Sequence, residues 1–254
     1  MNSVVRTFLI VIVAILLFAT AQLMNPTGKV VEQKGVYILD NTGKVYTKGS
    51  AIDYGSIEAE AVDLEITKGG YYILDKNCEV YTKGSAQYYG KPLSCDPVAI
   101  KATETGYYIL DKSGKIYPLG DVIEYGYPSE KRTYVDLDLT ENGYYVIASD
   151  GALSAFGDAV YLGTVESAVS IAAIPKGYYI LESSGKVNQF GDAEYYKEPE
   201  IEDNSAIRIK NAPKNNGYYV LDAHGGLHSY YGAVGYTGPG WVNEKKFVDI
   251  EIAY

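Results

Sequence analysis

Apolar and polar residues alternate along most of this chain in short runs, and the runs repeat. One six-residue run reads GVYILD from Gly35, GYYILD from Gly70 and Gly106, GYYVIA from Gly143, GYYILE from Gly177 and GYYVLD from Gly217. The starts of these runs lie 35, 36, 37, 34 and 40 residues apart. A period in this range is typical of repeat architectures, in which each unit buries its apolar face against its neighbours.

The unit from Ala61 to Gly90 shows the elements that each repeat predicts. AVDLEI alternates apolar and polar residues with the period of a half-buried strand, and GYYILD, VYTKG and AQYYG predict three more strands. The polar runs TKG and DKNC separate the first three strands as turns. Four short antiparallel strands in about 36 residues form one blade of a β-propeller.

The first strand of each blade recurs six times, and its last copy predicts how the ring closes. That copy, VDIEI from Val248, has no second strand after it, whereas the GVYILD run at Gly35 has no good first strand before it. We therefore predict an all-β fold over residues 25–254. It is a six-bladed β-propeller of four-stranded antiparallel blades, and the C-terminal strand completes the first blade so that no sheet edge stays open.

Residues 1–24 differ from the rest in composition and predict an N-terminal hydrophobic helix. Arg6 precedes the run from Thr7 to Met24, which holds no charged residue. This pattern indicates a secretory signal peptide or a signal-anchor helix. Eighteen residues are near the minimum that spans a bilayer, and ATA at 19–21 suits a cleavage site, so both outcomes stay open. Either way we expect an extracytoplasmic body, membrane-anchored or secreted.

The charge and the missing motifs narrow the range of partners. The net charge is -10, which disfavours contact with phosphate backbones, so we expect no nucleic-acid partner. The chain shows no Ser-His-Asp or Cys-His arrangement, no HExxH and no phosphate-binding glycine loop. We predict no cofactor, no metal site, no assignable catalytic residue and a monomeric state.

Two of the repeats resemble known propeller repeats of bacterial cell-surface and secreted proteins. GYYVIASDGALSAFGDAVYLG, from Gly143, resembles the type GYWLVASDGGVFAFGDAxFYG, and GYYVLDAHGGLHSYYGAVGYTGPGW, from Gly217, resembles GGYVLDxxGGxHxxGGAP with a Trp shortly after. The resemblance covers all six units in outline, although the present units are shorter between blades. It implies an extracytoplasmic β-propeller, and it carries no functional residue across because the ligands of that group are mostly undefined.

Charged residues alternate with apolar ones in the first strands and form the first candidate site. The apolar residues must pack between blades, so the charged ones should point to the central channel. There they would bind a cation or a polar ligand, or they would line a solvated channel with mutually compensating charges. The set comprises Asp63, Glu65, Lys101, Asp136, Asp138, Arg208, Lys210, Asp249 and Glu251.

The loops between blades form the second candidate site, because loops held on a rigid scaffold often carry binding residues. They are the longest and most varied segments, and they include YPSEKRT from Tyr127 and TGPGWVNEKK from Thr237. We predict that Tyr127 and Trp241, the only Trp, are ligand contacts. Packing of Trp241 on the closing blade is the alternative.

The two cysteines and two histidines have structural interpretations. Cys78 lies in a turn and Cys95 in the loop that leaves the same blade, and both loops should emerge on one face. In an oxidising compartment we expect a disulfide, with two free thiols as the alternative. His228 stands where Tyr46, Tyr81 and Tyr117 stand in other units, which favours packing over metal binding.

These observations favour a binding or scaffold module for a cell-envelope protein or a glycan. The alternative is a propeller enzyme, a hydrolase or lyase, that uses carboxylates at the central channel. The two hypotheses differ in whether the acids converge on one pocket with displaced pKa values.

Overall fold

The computed structural model describes residues 35–213, 217–244 and 246–253, all within the compact unit Lys34–Tyr254. The predicted N-terminal helix, residues 1–24, lies outside them. Within the described ranges, no helix has the length and apolar character needed to cross a membrane.

The described residues form 18 strands in six antiparallel sheets, and one short 3-10 turn, Glu202–Asn204. Sheet 1 contains β18 (Phe247–Ala253), β1 (Gly35–Asp40) and β2 (Val45–Lys48); sheet 2 contains β3 (Ala61–Thr67), β4 (Gly70–Asp75) and β5 (Val80–Gly84); sheet 3 contains β6 (Pro97–Ala102), β7 (Gly106–Asp111) and β8 (Ile116–Gly120). Sheet 4 contains β9 (Tyr134–Leu139), β10 (Gly143–Ala148) and β11 (Leu153–Gly157); sheet 5 contains β12 (Ser170–Ile174), β13 (Gly177–Leu181) and β14 (Val187–Gly191); sheet 6 contains β15 (Ala206–Asn211), β16 (Tyr218–Asp222) and β17 (Leu227–Tyr230).

The six sheets have a propeller-like arrangement. The first strands contact one another in the order β18, β3, β6, β9, β12, β15 and again β18. The predicted pairing of the C-terminal strand is confirmed, since β18 pairs antiparallel with β1 from Gly35↔Ala253 to Asp40↔Phe247. Sheet 1 therefore combines strands from the two ends of the described chain, and its first strand depends on the C-terminal segment.

Tyrosine rings fill the space between neighbouring sheets. The second residue of each repeat run faces the preceding sheet and the third faces the following one, so Tyr72 of sheet 2 meets Tyr107 of sheet 3 with ring centroids 4.9 Å apart. Edge-on and tilted pairs of this kind add to the burial of two large apolar rings. Equivalent pairs are Tyr37–Tyr71, Tyr108–Tyr144, Tyr145–Tyr178 and Tyr179–Tyr218. The tyrosine at the third position of each run therefore belongs to the core.

An acidic residue closes the turn after the second strand in most sheets. In sheet 2, Asp75 Oδ1 accepts the amides of Asn77 and Glu79, both at 2.8 Å, and Oδ2 accepts the Tyr81 hydroxyl at 3.4 Å. Corresponding amides bond Asp40, Asp111 and Asp222. These carboxylates stabilise the turn in place of missing backbone partners.

The predicted fourth strand of each blade is wrong, because every sheet among the described residues has three strands. In sheet 2 the chain leaves the third strand at Gly84, whose φ of 65° is open mainly to glycine. The following segment, AQYYG, then bonds to side chains instead of a ladder: Tyr72 donates its hydroxyl to the Gln87 carbonyl at 2.7 Å, and Tyr107 donates to Gly90. Tyrosine hydroxyls thereby bond backbone carbonyls that would otherwise need a neighbouring strand as their partner.

Deleting residues 247–253 should abolish cooperative unfolding, because β1 would lose its ladder partner and expose an unpaired edge. Removal of Tyr254 alone is the matched control and should leave the thermal transition in place. A milder change, Ile250→Ala at a fully buried position, should cost about 2–5 kcal/mol in chemical denaturation. A cooperative transition that survives the deletion unchanged would contradict this account.

Candidate functional site

One arginine side chain pairs with three carboxylates at the centre of the ring. Arg208 Nε lies 2.8 Å from Asp249 Oδ1, its Nη2 lies 2.9 Å from Asp63 Oδ1, and its Nη1 lies 3.2 Å from Asp136 Oδ1. All four side chains are buried. They occupy equivalent positions of the six first strands, together with Ala99 and Ser170, and we call these six residues the arginine layer.

The second oxygen of each aspartate bonds the next sheet. Asp249 Oδ2 accepts the Leu64 amide at 3.0 Å, Asp63 Oδ2 accepts the Ile100 amide at 2.7 Å, and Asp136 Oδ2 accepts the Ile171 amide at 3.0 Å. Ser170 Oγ continues the series by accepting the Ile209 amide at 3.3 Å. These bonds satisfy backbone donors on the channel side of the first strands, which have no ladder partner there.

A second layer lies two residues further along the same strands, and we call it the lysine layer. Lys101 Nζ lies 3.2 Å from Glu65 Oε2 and 3.7 Å from Glu251 Oε1, and Lys210 also pairs with Glu251. The other two first strands carry Asp138 and Ala172 at this level. Asp138 accepts the Ala173 amide at 2.7 Å. The side chains of Glu65 and Lys210 keep 14% and 15% exposure, so this layer is the more open of the two.

Burial and the neighbouring charges together shift the pKa values of the acids in these layers in different directions. It raises the pKa of Asp63 well above its ordinary value, with the Asp249 charge adding to the effect and Arg208 opposing it. Burial would also raise the pKa of Asp249, but Arg208 and the two lysines hold it below its ordinary value. Burial raises the pKa of Glu65 to about 8, although Lys101 opposes the shift. The carboxyl groups of the two layers therefore differ in the pH at which they ionise.

The three cations remain charged. Burial would lower the pKa of Arg208, Lys101 and Lys210, but the surrounding carboxylates raise each of them above its ordinary value. Each cation already lies against carboxylates, so a ligand would have to displace an existing ion pair. Among the described residues, no group of three or more His, Cys, Asp or Glu side chains has the arrangement of a metal site. The structure thus brings Asp63, Asp136, Arg208 and Asp249 together as one buried, ion-paired cluster.

Trp241 and Tyr127 lie on the surface and not at the centre. Trp241 is 66% exposed, and its ring stacks on His224, in the turn of sheet 6, with centroids 4.7 Å apart. His224 Nδ1 lies 2.7 Å from the Val242 carbonyl, which fixes the imidazole under the indole. Tyr127 is 55% exposed in its loop.

The structure joins Cys78 and Cys95 in a disulfide with Cα atoms 6.0 Å apart, inside the range that such a bond requires. Cys78 has a φ of 63° at the turn position that holds glycine in the other five sheets. His228 takes the place of a tyrosine and lies 3.2 Å from Asp222 Oδ2, as the tyrosines do in their own sheets. Both observations describe structural roles.

A cavity of about 310 Å³ lies at the turn end of sheet 4, and the sequence interpretation missed it. Its lining includes Arg132 from the loop that begins at Tyr127, Tyr134 from the start of β9, and Ser154 and Tyr161 from beyond the turn. We call it the rim cavity. Its signal in the sequence is that GYYVIA ends in Ala148, where five other repeats end in an acid.

Replacing Glu65 with glutamine should flatten the dependence of stability on pH. The folded protein holds the Glu65 proton up to about pH 8, whereas an ordinary glutamate releases it near 4.5. Between these values the folded state binds more protons than the unfolded state, so the contribution of Glu65 to stability falls as pH rises, by at most about 1.4 kcal/mol per pH unit.

Chemical denaturation across this pH window measures the slope for Glu65→Gln and for Glu58→Gln, the same change at an exposed loop position. We expect the first variant to lose part of the slope and the second to keep it. Equal slopes in both variants and the unmodified protein would refute the assignment of a raised pKa to Glu65.

Comparison with known proteins supports the fold and goes no further. No protein-family model and no curated protein matches the chain. A chain of a nidogen/laminin complex is similar with a TM-score of 0.57 and 8% identity, over 87% of this chain and 98% of that one. BBS1N in complex with ARL6DN gives 0.54 and 12%, over 82% and 77%. The computationally designed protein Ika8 gives 0.51 and 13%, over 79% and 70%. These likenesses support a β-propeller-like arrangement of the six sheets.

Proposed function

We propose that this protein is an extracytoplasmic binding or scaffold module for a protein or glycan partner, built as a closed six-bladed propeller. The observation that carries the proposal is the contrast between centre and rim. The centre is filled by buried ion pairs, whereas apolar and aromatic side chains are exposed on the outer segments and loops. They include Ile52, Tyr88, Leu93, Ile123, Tyr127, Val160, Tyr161, Tyr195, Tyr231 and Trp241.

Exposed aromatic side chains suit recognition because they offer a large rigid contact area at a low cost in conformational entropy. Trp241 and Tyr127 belong to loops anchored on the scaffold at both ends, and stacking on His224 holds the Trp241 ring in one orientation. A preorganised ring of this kind loses little freedom when a partner covers it. Trp241 and Tyr127 are therefore the first candidates for contact with the partner.

The extracytoplasmic location rests on the sequence. Arg6 followed by the uncharged run from Thr7 to Met24 supports a signal peptide or signal anchor, and the two close repeats from Gly143 and Gly217 resemble those of secreted and cell-surface proteins. The disulfide between Cys78 and Cys95 suits an oxidising compartment. Two of the similar solved structures are described as complexes of two proteins, which is the kind of role proposed here.

The second candidate function, a hydrolase or lyase, is favoured by the raised pKa values of Asp63, Glu65 and Asp138. Clusters of shifted acids do occur at active sites. In this ring, however, Asp63 has no exposed surface and its carboxylate bonds both Arg208 and the Ile100 amide. A substrate at Asp63 would have to break both contacts, so we rank binding first.

The test is retention of cell-envelope material by the full chain, purified in mild detergent and immobilised. The envelope extract is divided into a protein fraction and a polysaccharide fraction. We expect one fraction to be retained, and the retention to fall by about tenfold or more in Trp241→Ala/Tyr127→Ala, since exposed aromatics dominate contacts of this kind. Tyr88→Ala, also at an exposed tyrosine outside these loops, is the matched control and should retain the material.

Retention of neither fraction, or equal retention by the double variant, would contradict the proposal. Shortening of the polysaccharide during incubation, abolished by Asp136→Asn and not by Trp241→Ala/Tyr127→Ala, would establish the enzyme instead.

A further inference from the structure

Sheet 4 lacks a side-chain pair that the other sheets have. In those sheets an acid at the end of the second strand contacts the second residue of the third strand, as Asp111 does with Tyr117 at 3.1 Å. The other pairs are Asp40–Tyr46, Asp75–Tyr81, Glu182–Asn188 and Asp222–His228. In sheet 4 these two positions hold Ala148 and Ser154. Two small residues thus replace an acid and a large polar side chain.

Of the two replaced positions, Ser154 lines the rim cavity and Ala148 does not. Ser154 and its neighbour Ala152 line one side, and the long loop that carries Arg132 forms the other. Ala152 also stands where Lys44 and Lys115 stand in sheets 1 and 3, so a third long side chain is absent from the same place. The cavity is therefore a specific departure from the repeat. Its volume of about 310 Å³ is close to the lower end, about 300 Å³, of ordinary ligand sites, which fits one small ligand.

The charges around the cavity disfavour an anion. Arg132 Nε bonds Glu130 at 2.8 Å, and its Nη1 bonds Asp150. The charged lining residues, Arg132 and Glu130, sum to zero, and Arg132 is already paired with two carboxylates, so the lining offers no unpaired cation to a phosphate or carboxylate ligand. The pair of Arg132 and Glu130 places planar donors and acceptors at the cavity wall, which suits a ligand with several hydroxyl groups.

An aromatic ring and small hydroxyl side chains complete the site. Tyr161 lines the cavity while its side chain is 56% exposed, so part of its ring is open to a ligand. Ser154 and Thr164 add hydroxyls to the lining. An aromatic platform beside fixed hydrogen-bonding groups matches a sugar ring, which has an apolar C–H face and an equatorial belt of hydroxyls.

From this geometry we propose that the rim cavity binds one neutral pyranose residue of a glycan. The ring would stack on Tyr161, and its hydroxyls would bond Glu130, Arg132 and Ser154. This inference rests on the proposed binding function and names the ligand class for a site other than Trp241. A free sugar and a sugar within a polysaccharide share this chemistry, and the experiment separates them.

The experiment is saturation-transfer NMR on the full chain in detergent micelles. The neutral panel is the methyl pyranosides of glucose, galactose, mannose and N-acetylglucosamine, each at on the order of 10 mM, where even a weak site is occupied. Glucuronic acid is the anionic probe and glucosamine the cationic probe. We expect transfer to at least one neutral sugar and weaker transfer to both charged probes. Neutral oligosaccharides in the same assay show whether a sugar within a longer chain binds more tightly.

Variants test whether the signal arises at the rim cavity. Ala148→Asp/Ser154→Tyr restores the side-chain pair of the other sheets and fills the space, and Tyr161→Ala removes the platform. We expect either change to weaken binding by about tenfold or more. Tyr195→Ala is the matched control, since Tyr195 has the corresponding position in sheet 5 and 57% exposure, and it should bind normally. Because Tyr161 is exposed, Tyr161→Ala tests the site even if the filled double variant fails to fold.

Absence of transfer to every neutral sugar, stronger binding of either charged probe, or unchanged binding in Tyr161→Ala would overturn the inference. If envelope material is still retained through Trp241 and Tyr127 in that case, the proposed function stands and only the sugar site falls. If neutral sugars bind at the rim cavity but no envelope fraction is retained, the proposed function falls and the sugar site stands.

Discussion

The guanidinium of Arg208 is the contact on which the rest of the ring depends. It belongs to sheet 6, and its three carboxylate partners, Asp249, Asp63 and Asp136, belong to sheets 1, 2 and 4. Each of those aspartates uses its second oxygen to hold an amide of the next sheet. One cation thus joins four sheets directly, and through the aspartates it orders the backbone of sheets 3 and 5. Losing one partner from a buried ion pair costs about 3–5 kcal/mol, so the cluster tolerates little change.

The same cluster explains how sheets of similar sequence adopt one order around the ring. The second strands are similar, since GYYILD occurs twice, three variants differ from it at one position and GYYVIA differs at three. The first strands differ in charge, and in the observed order of sheets Arg208, Lys101 and Lys210 each reach an acid. We infer that the buried charges specify the arrangement of sheets, a use of polar core groups seen in other folds. Under this inference a partner is recognised at the rim, where the sheets can differ in sequence without disturbing the central ion pairs.

Much of this architecture could be predicted from the repeat. The period, the turn acids and the alternating first strands predicted six sheets, the pairing of the C-terminal strand and the central position of Asp63, Asp136, Arg208 and Asp249. Alternation cannot distinguish a ladder from side-chain bonding, so AQYYG was mistaken for a fourth strand although tyrosine hydroxyls bond its backbone. Spacing also cannot show that charges pair and become buried. The rim cavity lies beside the small residues Ala152 and Ser154, and a search for functional residues does not detect a position where a large side chain is missing.

A double-mutant cycle between Arg208→Met and Asp249→Asn tests the central claim most directly. Chemical denaturation measures the unfolding free energy of both single variants and the double variant, and a parallel cycle combines Arg208→Met with Asp192→Asn, at an exposed position of sheet 5. The account predicts a coupling of about 1–3 kcal/mol in the first cycle and additivity within about 0.5 kcal/mol in the second. Additivity in both cycles would contradict the claim that Arg208 holds the sheets together.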